Sequence, residues 1–206
     1  QNNFNSTQRL AKACADSGVR LITLSSTSVY GTQADLVDED CTEEELQPQS
    51  PYAVTKLKEE RLVQQLVTDQ GLKASIFRFG TIFGISPGMR FHTAVNKFCW
   101  QAAMGLPITV RSTAYDQKRP YLDLGDACKA ITHIIRSELF DGRVYNVLTL
   151  NATVREVVEA VRTFVPALEV KFVESKIMNQ LSYEVSYERF RETGFSPIGT
   201  LEESLA

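Results

Sequence analysis

The chain has 206 residues, 43% of them apolar (AVILMFWYC) and 23% charged, which fits one ordinary globular domain, or a domain and a half, with a sizeable core. Twenty-two Lys and Arg against twenty-five Asp and Glu leave a net charge of −3, which argues against a nucleic-acid-binding surface. No run approaches the roughly 18 apolar residues of a membrane span. The opening Gln1-Asn2-Asn3-Phe4-Asn5 has neither the basic nor the apolar region of a signal peptide, so a cytoplasmic protein is expected.

Helical periodicity alternates with short apolar runs along the chain, which predicts an α/β fold with a largely parallel sheet. Residues 5–17 read as a helix with Leu10, Ala11, Cys14 and Ala15 on one side, stopped by Gly18. Leu21 to Leu24 suits a strand buried on both faces. Residues 25–50 are rich in Ser, Thr, Asp, Glu, Gln and Pro, and predict a long loop of the kind that carries function. Ser50 as cap and Pro51 at the first helical position open a helix to about Gln70, with Leu62, Val63, Leu66 and Val67 as its apolar stripe and Gly71 as its stop. Lys73 to Phe79 is the next strand, and Phe83 to Gly88 the loop leaving it. A helix over 91–104, a strand over 107–110, a polar loop over 111–118 and a helix from about Asp123 follow. The remainder reads as a strand over 143–147, a helix over 153–164, a strand over 169–173, a short helix over 186–193 and a turn at Gly194 to Pro197.

Cys14, Cys41, Cys99 and Cys128 are scattered without a CxxC pair, and His92 and His133 are the only histidines. Reduced, structural cysteines and no metal site are expected, since zinc needs clustered ligands. Neither histidine is expected to act in catalysis. Asn5-Ser6-Thr7 and Asn151-Ala152-Thr153 match the glycosylation sequon, which matters only in a secreted protein. Trp100 lies at helical spacing from Phe91, Val95 and Cys99 and is expected in the core.

Two segments carry chemistry. Tyr52-Ala53-Val54-Thr55-Lys56 puts a phenol and an ammonium four residues apart, on one face of a helix's first turns. A free tyrosine ionises near pH 10, so a tyrosine base working near pH 7 needs about 4 kcal/mol of preferential phenolate stabilisation. Lys56 is one source of it and a cationic nicotinamide ring another. Ser25-Ser26-Thr27-Ser28-Val29-Tyr30-Gly31 sits where the run Leu21 to Leu24 ends, and doubly wound sheets bind ligands outside the carboxyl ends of their strands. The alternative reading of that segment is a turn whose hydroxyls bond their own backbone.

Together these segments resemble the extended short-chain dehydrogenase/reductase family, the NAD-dependent nucleotide-sugar epimerases, dehydratases and reductases. The resemblance also rests on Arg78-Phe79-Gly80-Thr81-Ile82-Phe83-Gly84, on Arg119-Pro120-Tyr121-Leu122-Asp123-Leu124-Gly125-Asp126 and on Tyr145-Asn146-Val147, all in the family's order. Asn2 to Thr7 is similar to the family's Asn-x-x-Gly-Thr segment, with Asn3 at the asparagine position and Ser6 replacing the glycine. The implied fold is a doubly wound, Rossmann-type parallel sheet with a smaller α+β substrate-binding part. The implied division gives residues 1–85 and 123–149 to the second half of the dinucleotide-binding domain, and 86–122 and 150–206 to the substrate part. The family's glycine-rich turn has no counterpart here. The resemblance therefore implies that the chain opens near the fourth strand-helix junction, after roughly three units of about 30 residues, and is a piece of a longer enzyme.

By this resemblance Tyr52 is the acid/base, taking a proton from a sugar hydroxyl as hydride leaves the same carbon for the nicotinamide. Lys56 holds the nicotinamide ribose and favours the phenolate. Ser26 hydrogen-bonds the substrate oxygen, with Thr27 or Ser28 ranked second because a one-residue shift turns a side chain the other way. NAD or NADP would be held by Tyr52, Lys56, Ser25, Phe79, Gly80, Thr81 and Asn3, and the substrate by Ser26, Thr27, Arg90, Asn96 and Arg119. Arg119 matches an arginine that grips the nucleotide diphosphate. Pro120 stands where relatives often have Asp, Asp123 where many have His and where it also suits a helix cap, and Leu181-Ser182-Tyr183 where many have Arg-Ser-Tyr. The family's sugar 4,6-dehydratases follow the catalytic Ser/Thr with Asp-Glu. Thr27 and Ser28 stand there, which favours epimerisation of a nucleotide sugar through a transient keto sugar, or reduction of a keto sugar or other carbonyl compound. A non-catalytic nucleotide-sensing relative is the third reading, opposed by the intact Tyr52, Lys56 and Ser26. A homodimer through residues 5–17 and 51–70 is implied, with a small-molecule substrate and neither nucleic acid nor membrane as partner.

Overall fold

A computed structural model describes residues 2–31, 36–174 and 182–205. In chain order the elements are α1 (Asn2–Ser17), β1 (Leu21–Ser26), a 3-10 turn (Thr27–Tyr30), β2 (Leu36–Val37), α2 (Pro51–Gln70), β3 (Ala74–Phe79), β4 (Thr81–Phe83), α3 (Ala94–Ala103) and β5 (Ile108–Arg111). After a second 3-10 turn (Ser112–Ala114) come β6 (Lys118–Asp123), α4 (Leu124–Arg136), β7 (Val144–Val147), β8 (Leu150–Thr153), α5 (Val154–Phe164), β9 (Val170–Val173), β10 (Glu184–Val185), α6 (Glu188–Arg191) and α7 (Leu201–Leu205).

The main sheet is parallel, in the order β1-β3-β7, with Ser26 beside Phe79 and Phe79 beside Val147 at its carboxyl end. All six residues of β3 are buried, because helices cover both faces. Ala74 and Ile76 point to one side, into a core with Ala11 and Cys14 of α1 and Val63 and Leu66 of α2. Phe77 and Phe79 point to the other, against Ala127, Ala130 and Ile134 of α4. That is the α/β arrangement with a parallel sheet expected from the alternating pattern, and the doubly wound form that the family resemblance implies.

Among the described residues, the remaining strands form a second, more divided system of three small sheets. β4 pairs parallel with β6 and β6 antiparallel with β8, while β5 pairs with β9 and β2 with β10. Its core joins Phe98 of α3, Ile108 of β5 and Val157 and Val161 of α5. The sequence pattern missed β2, β4, β6, β8 and β10, which are short or lack a full period of alternation. Leu10, expected on the buried side of α1, is 57% exposed, and Trp100, expected in the core, is 43% exposed and packs on Phe91 at 5.8 Å between ring centroids. The four cysteines are unpaired; Cys14 is buried, Cys41 and Cys99 are half-buried, and Cys128, expected as a structural cysteine, is exposed. Among the described residues no helix is long and apolar enough to cross a membrane.

Candidate active site

Three chain segments meet at the carboxyl ends of β1 and β3. β1 ends at Ser25-Ser26, where the Ser26 side chain caps the 3-10 turn by accepting from the Ser28 N–H at 3.2 Å. The Ser28 hydroxyl also donates to Ser26 Oγ, at 3.0 Å. The turn closes on Gly31, whose φ of +71° and close approach to Gln47 exclude any side chain: a Cβ would lie 2.0 Å from the Gln47 carbonyl oxygen. α2 starts as its sequence dictates, with Ser50 Oγ accepting from the Ala53 N–H at 3.1 Å and Pro51 in the first turn. It ends at Gly71 in the left-handed conformation, φ +68°.

The helix start places Tyr52 and Lys56 over the end of β1. Tyr52 is 51% exposed, and the Lys56 ammonium lies 5.9 Å from the centre of its ring. Lys56 Nζ donates to the Leu24 carbonyl oxygen and to Glu59 Oε2, both at 2.9 Å. These groups border a cavity of about 790 Å³, together with Ser25, Ser26, Phe79, Gly80, Thr81, Arg90 and Asn96. Gly80 permits the close approach of β4 to β6, since a Cβ there would lie 3.0 Å from the Pro120 carbonyl oxygen.

Most of the residues singled out from the sequence thus meet in one place, in different roles. Ser25 is buried and its hydroxyl donates to Glu60. Asn96 Oδ1 accepts from the Gly84 N–H and its Nδ2 donates to the Arg90 carbonyl oxygen, each at 3.2 Å, so its amide shapes the loop of the cavity wall. Thr27 is buried, and its hydroxyl donates to the Phe79 carbonyl oxygen at 3.4 Å, away from the cavity. Asn3 is exposed in the first turn of α1 and does not line the cavity. Asp123 caps α4, accepting from the Asp126 N–H at 3.0 Å. Ser182 accepts from the Lys118 N–H at 3.3 Å, Tyr183 is buried, and Leu181 lies outside the described residues.

Arg119 borders a second cavity of about 420 Å³ with Lys97 and Arg111. The two cavities share Thr81, His92 and Thr93. Five Lys and Arg side chains line the pair, and among the described residues no carboxylate does. An elongated anion fits such a surface.

Beneath the site runs a buried polar chain that no local pattern in the sequence singles out. Arg78 bonds Glu60 through Nε and Nη2, the shorter contact being 2.7 Å, and its Nη1 donates to the Tyr30 hydroxyl at 3.0 Å. Tyr30 in turn donates to Asn146 Oδ1 at 2.9 Å. Burial holds the Tyr30 phenol above its ordinary ionisation range, against the opposing pull of Arg78, so it stays a donor. Burial alone would weaken the Arg78 charge, and the Glu60 bonds more than reverse it. One signal in the sequence points to this pair: Arg78 is the one charged residue in a mostly apolar strand, Ala74 to Phe79, and has to find a buried partner.

A family model, that of the NAD dependent epimerase/dehydratase family, matches residues 1–147. An uncharacterized UDP-glucose epimerase of Bacillus subtilis, YtcB, is 31% identical over 149 residues, which are 71% of this chain and 45% of that protein. The low-salt glycan biosynthesis protein Agl12 of Haloferax volcanii is 28% identical over 210 residues, 98% of this chain and 65% of that one. Among solved structures, MoeE5 in complex with UDP-glucuronic acid and NAD superposes with a TM-score of 0.81 at 28% identity, over 97% of this chain and 67% of that one. The chain thus spans between about half and two thirds of the length of these relatives.

Proposed function

Because the chain belongs to the NAD dependent epimerase/dehydratase family, we propose that it supplies the proton-handling and substrate-binding groups of an NAD(P)-dependent nucleotide-sugar epimerase working through a transient keto sugar. The observation that carries this reading is the meeting of Tyr52, Lys56 and Ser26 around one cavity at the carboxyl end of the parallel sheet. The cavity fits a nicotinamide nucleotide: it is large, and a third donor of the Lys56 ammonium is left for a ribose hydroxyl. Lys56, Ser25, Phe79, Gly80 and Thr81 would border that group. When bound, it accepts and returns the hydrogen and electron pair of the sugar carbon.

The chain's own residues then do the following. The Tyr52 phenolate takes the hydroxyl proton of that carbon, and the phenol returns it after the keto sugar has turned over in the cavity. Ser26 donates to the sugar oxygen as charge develops on it. The cationic second cavity supports a nucleotide diphosphate as the rest of the substrate, with Arg119 as a bidentate donor. The hydroxyls of Thr27 and Ser28 are engaged with Phe79 and Ser26, and neither residue carries an acid, which favours epimerisation or keto-group reduction over elimination of water. Residues 1–85 with 123–149 would form the cofactor side and 86–122 with 150–206 the substrate side. A homodimer through α1 and α2 would cover the exposed Leu10. Incubation of the full-length protein with NAD and a panel of UDP- and dTDP-hexoses tests the reading. An epimer of equal mass without net formation of reduced cofactor supports it; net oxidation or reduction of the cofactor favours the reductase, and a dehydrated product rejects both.

A further inference from the structure

Lys56 does not reach the cavity as an isolated cation. Its ammonium is shared between the Leu24 carbonyl oxygen and Glu59 Oε2, and Glu59 is fully buried. The other Glu59 oxygen, Oε1, has no hydrogen-bond partner among the described residues. The neighbouring Glu60 is the contrast: its oxygens are taken up by Arg78 and Ser25. A buried carboxylate with an unsatisfied oxygen is costly and calls for an explanation. What Glu59 does engage is the ammonium beside Tyr52.

Resting on the reading of Tyr52 as the acid/base, we propose that Glu59 is a positioning residue that fixes the Lys56 ammonium at the end of β1 and moderates its pull on the Tyr52 phenolate. Glu59 thereby sets the pH at which proton transfer switches on. Seven residues of helix separate Glu59 from Tyr52, about 10 Å. A unit charge at that distance, in an effective dielectric of about 20, is worth about one pH unit. The sign follows from charge: the buried negative group favours the neutral phenol, so turnover switches on at a higher pH than Lys56 alone would give. The other charged groups around the site are placed as follows. Glu60 is matched by Arg78, Arg90 and His92 come from the loop across the cavity, and on α1, packed against α2, Arg9, Lys12 and Asp16 are all exposed while Cys14 is buried.

Glu59→Gln in the full-length protein should move the acid limb of the kcat/KM profile down by about one pH unit, with the unfolding temperature as a check on folding. Glu59→Ala removes the same charge without adding a donor and should move the limb the same way. A second readout needs no turnover: the Tyr52 phenolate absorbance, taken as the difference from Tyr52→Phe in each background, should appear at lower pH in Glu59→Gln. An unmoved or raised limb in folded Glu59 variants, with Tyr52→Phe inactive, overturns the proposal and leaves the acid/base reading standing. Retained turnover in Tyr52→Phe overturns both.

Discussion

Replacing Arg78 by Met would leave the Glu60 carboxylate buried without its counter-charge. The two side chains are 5% and 2% exposed and joined by three hydrogen bonds, so neither can turn to solvent without opening the contact between α2 and β3. Breaking a buried pair by removing one partner costs about 3–5 kcal/mol, most of it the stranded charge. For a chain of this size each kcal/mol lowers the unfolding temperature by about 2–4 °C, so Arg78→Met should lose roughly 6–20 °C. Thermal unfolding followed by circular dichroism measures it. The double variant Arg78→Met with Glu60→Leu should recover most of the loss, because a well-packed apolar pair replaces a buried ion pair at little cost. A single-variant loss under about 1 kcal/mol, or a double variant less stable than Arg78→Met, would refute the view that this pair fastens the Tyr52 helix to the sheet.

Two further outcomes follow from local geometry. Gly31→Ala forces a Cβ to within 2.0 Å of the Gln47 carbonyl oxygen at a positive φ, so the turn beneath Ser26 must deform; the purified variant should unfold several degrees below the parent and lose activity with it. Glu156 completes the capping box of α5, and the Thr153 N–H and then its hydroxyl hold its carboxyl below the usual range. That contribution is complete above the unfolded value of about 4.5 and is lost as pH falls through the lowered folded value, so Glu156→Gln should flatten the acid side of the stability-pH curve in this window.

The parts of the fold legible in the sequence were those with strong local chemistry. Ser50-Pro51 and Gly71 marked both ends of α2, and the apolar runs marked β1, β3 and β7. The carboxyl end of β1 and the four-residue spacing from Tyr52 to Lys56 pointed to residues that border one cavity. Lys118 to Asp123 was not legible as a strand, because Lys118, Arg119, Pro120 and Asp123 break the apolar pattern and its pairing with β4 and β8 is decided by distant residues. Glu59 and Glu60 carry no local signal of burial, and only the tertiary fold, with its contacts to Lys56 and Arg78, encloses them. Trp100 followed the core spacing of its helix yet lies outside, because Phe91 and not the core covers its ring.

The most direct test of the account is Tyr52→Phe in the full-length protein, assayed with the nucleotide sugar that gives the highest wild-type turnover. Removing the phenolic oxygen alone should lower kcat by about 10²–10⁴-fold while the unfolding temperature and nicotinamide-nucleotide affinity stay near the parent's. Turnover within a few-fold of the parent, at unchanged stability, would contradict the assignment of Tyr52 as the group that moves the proton.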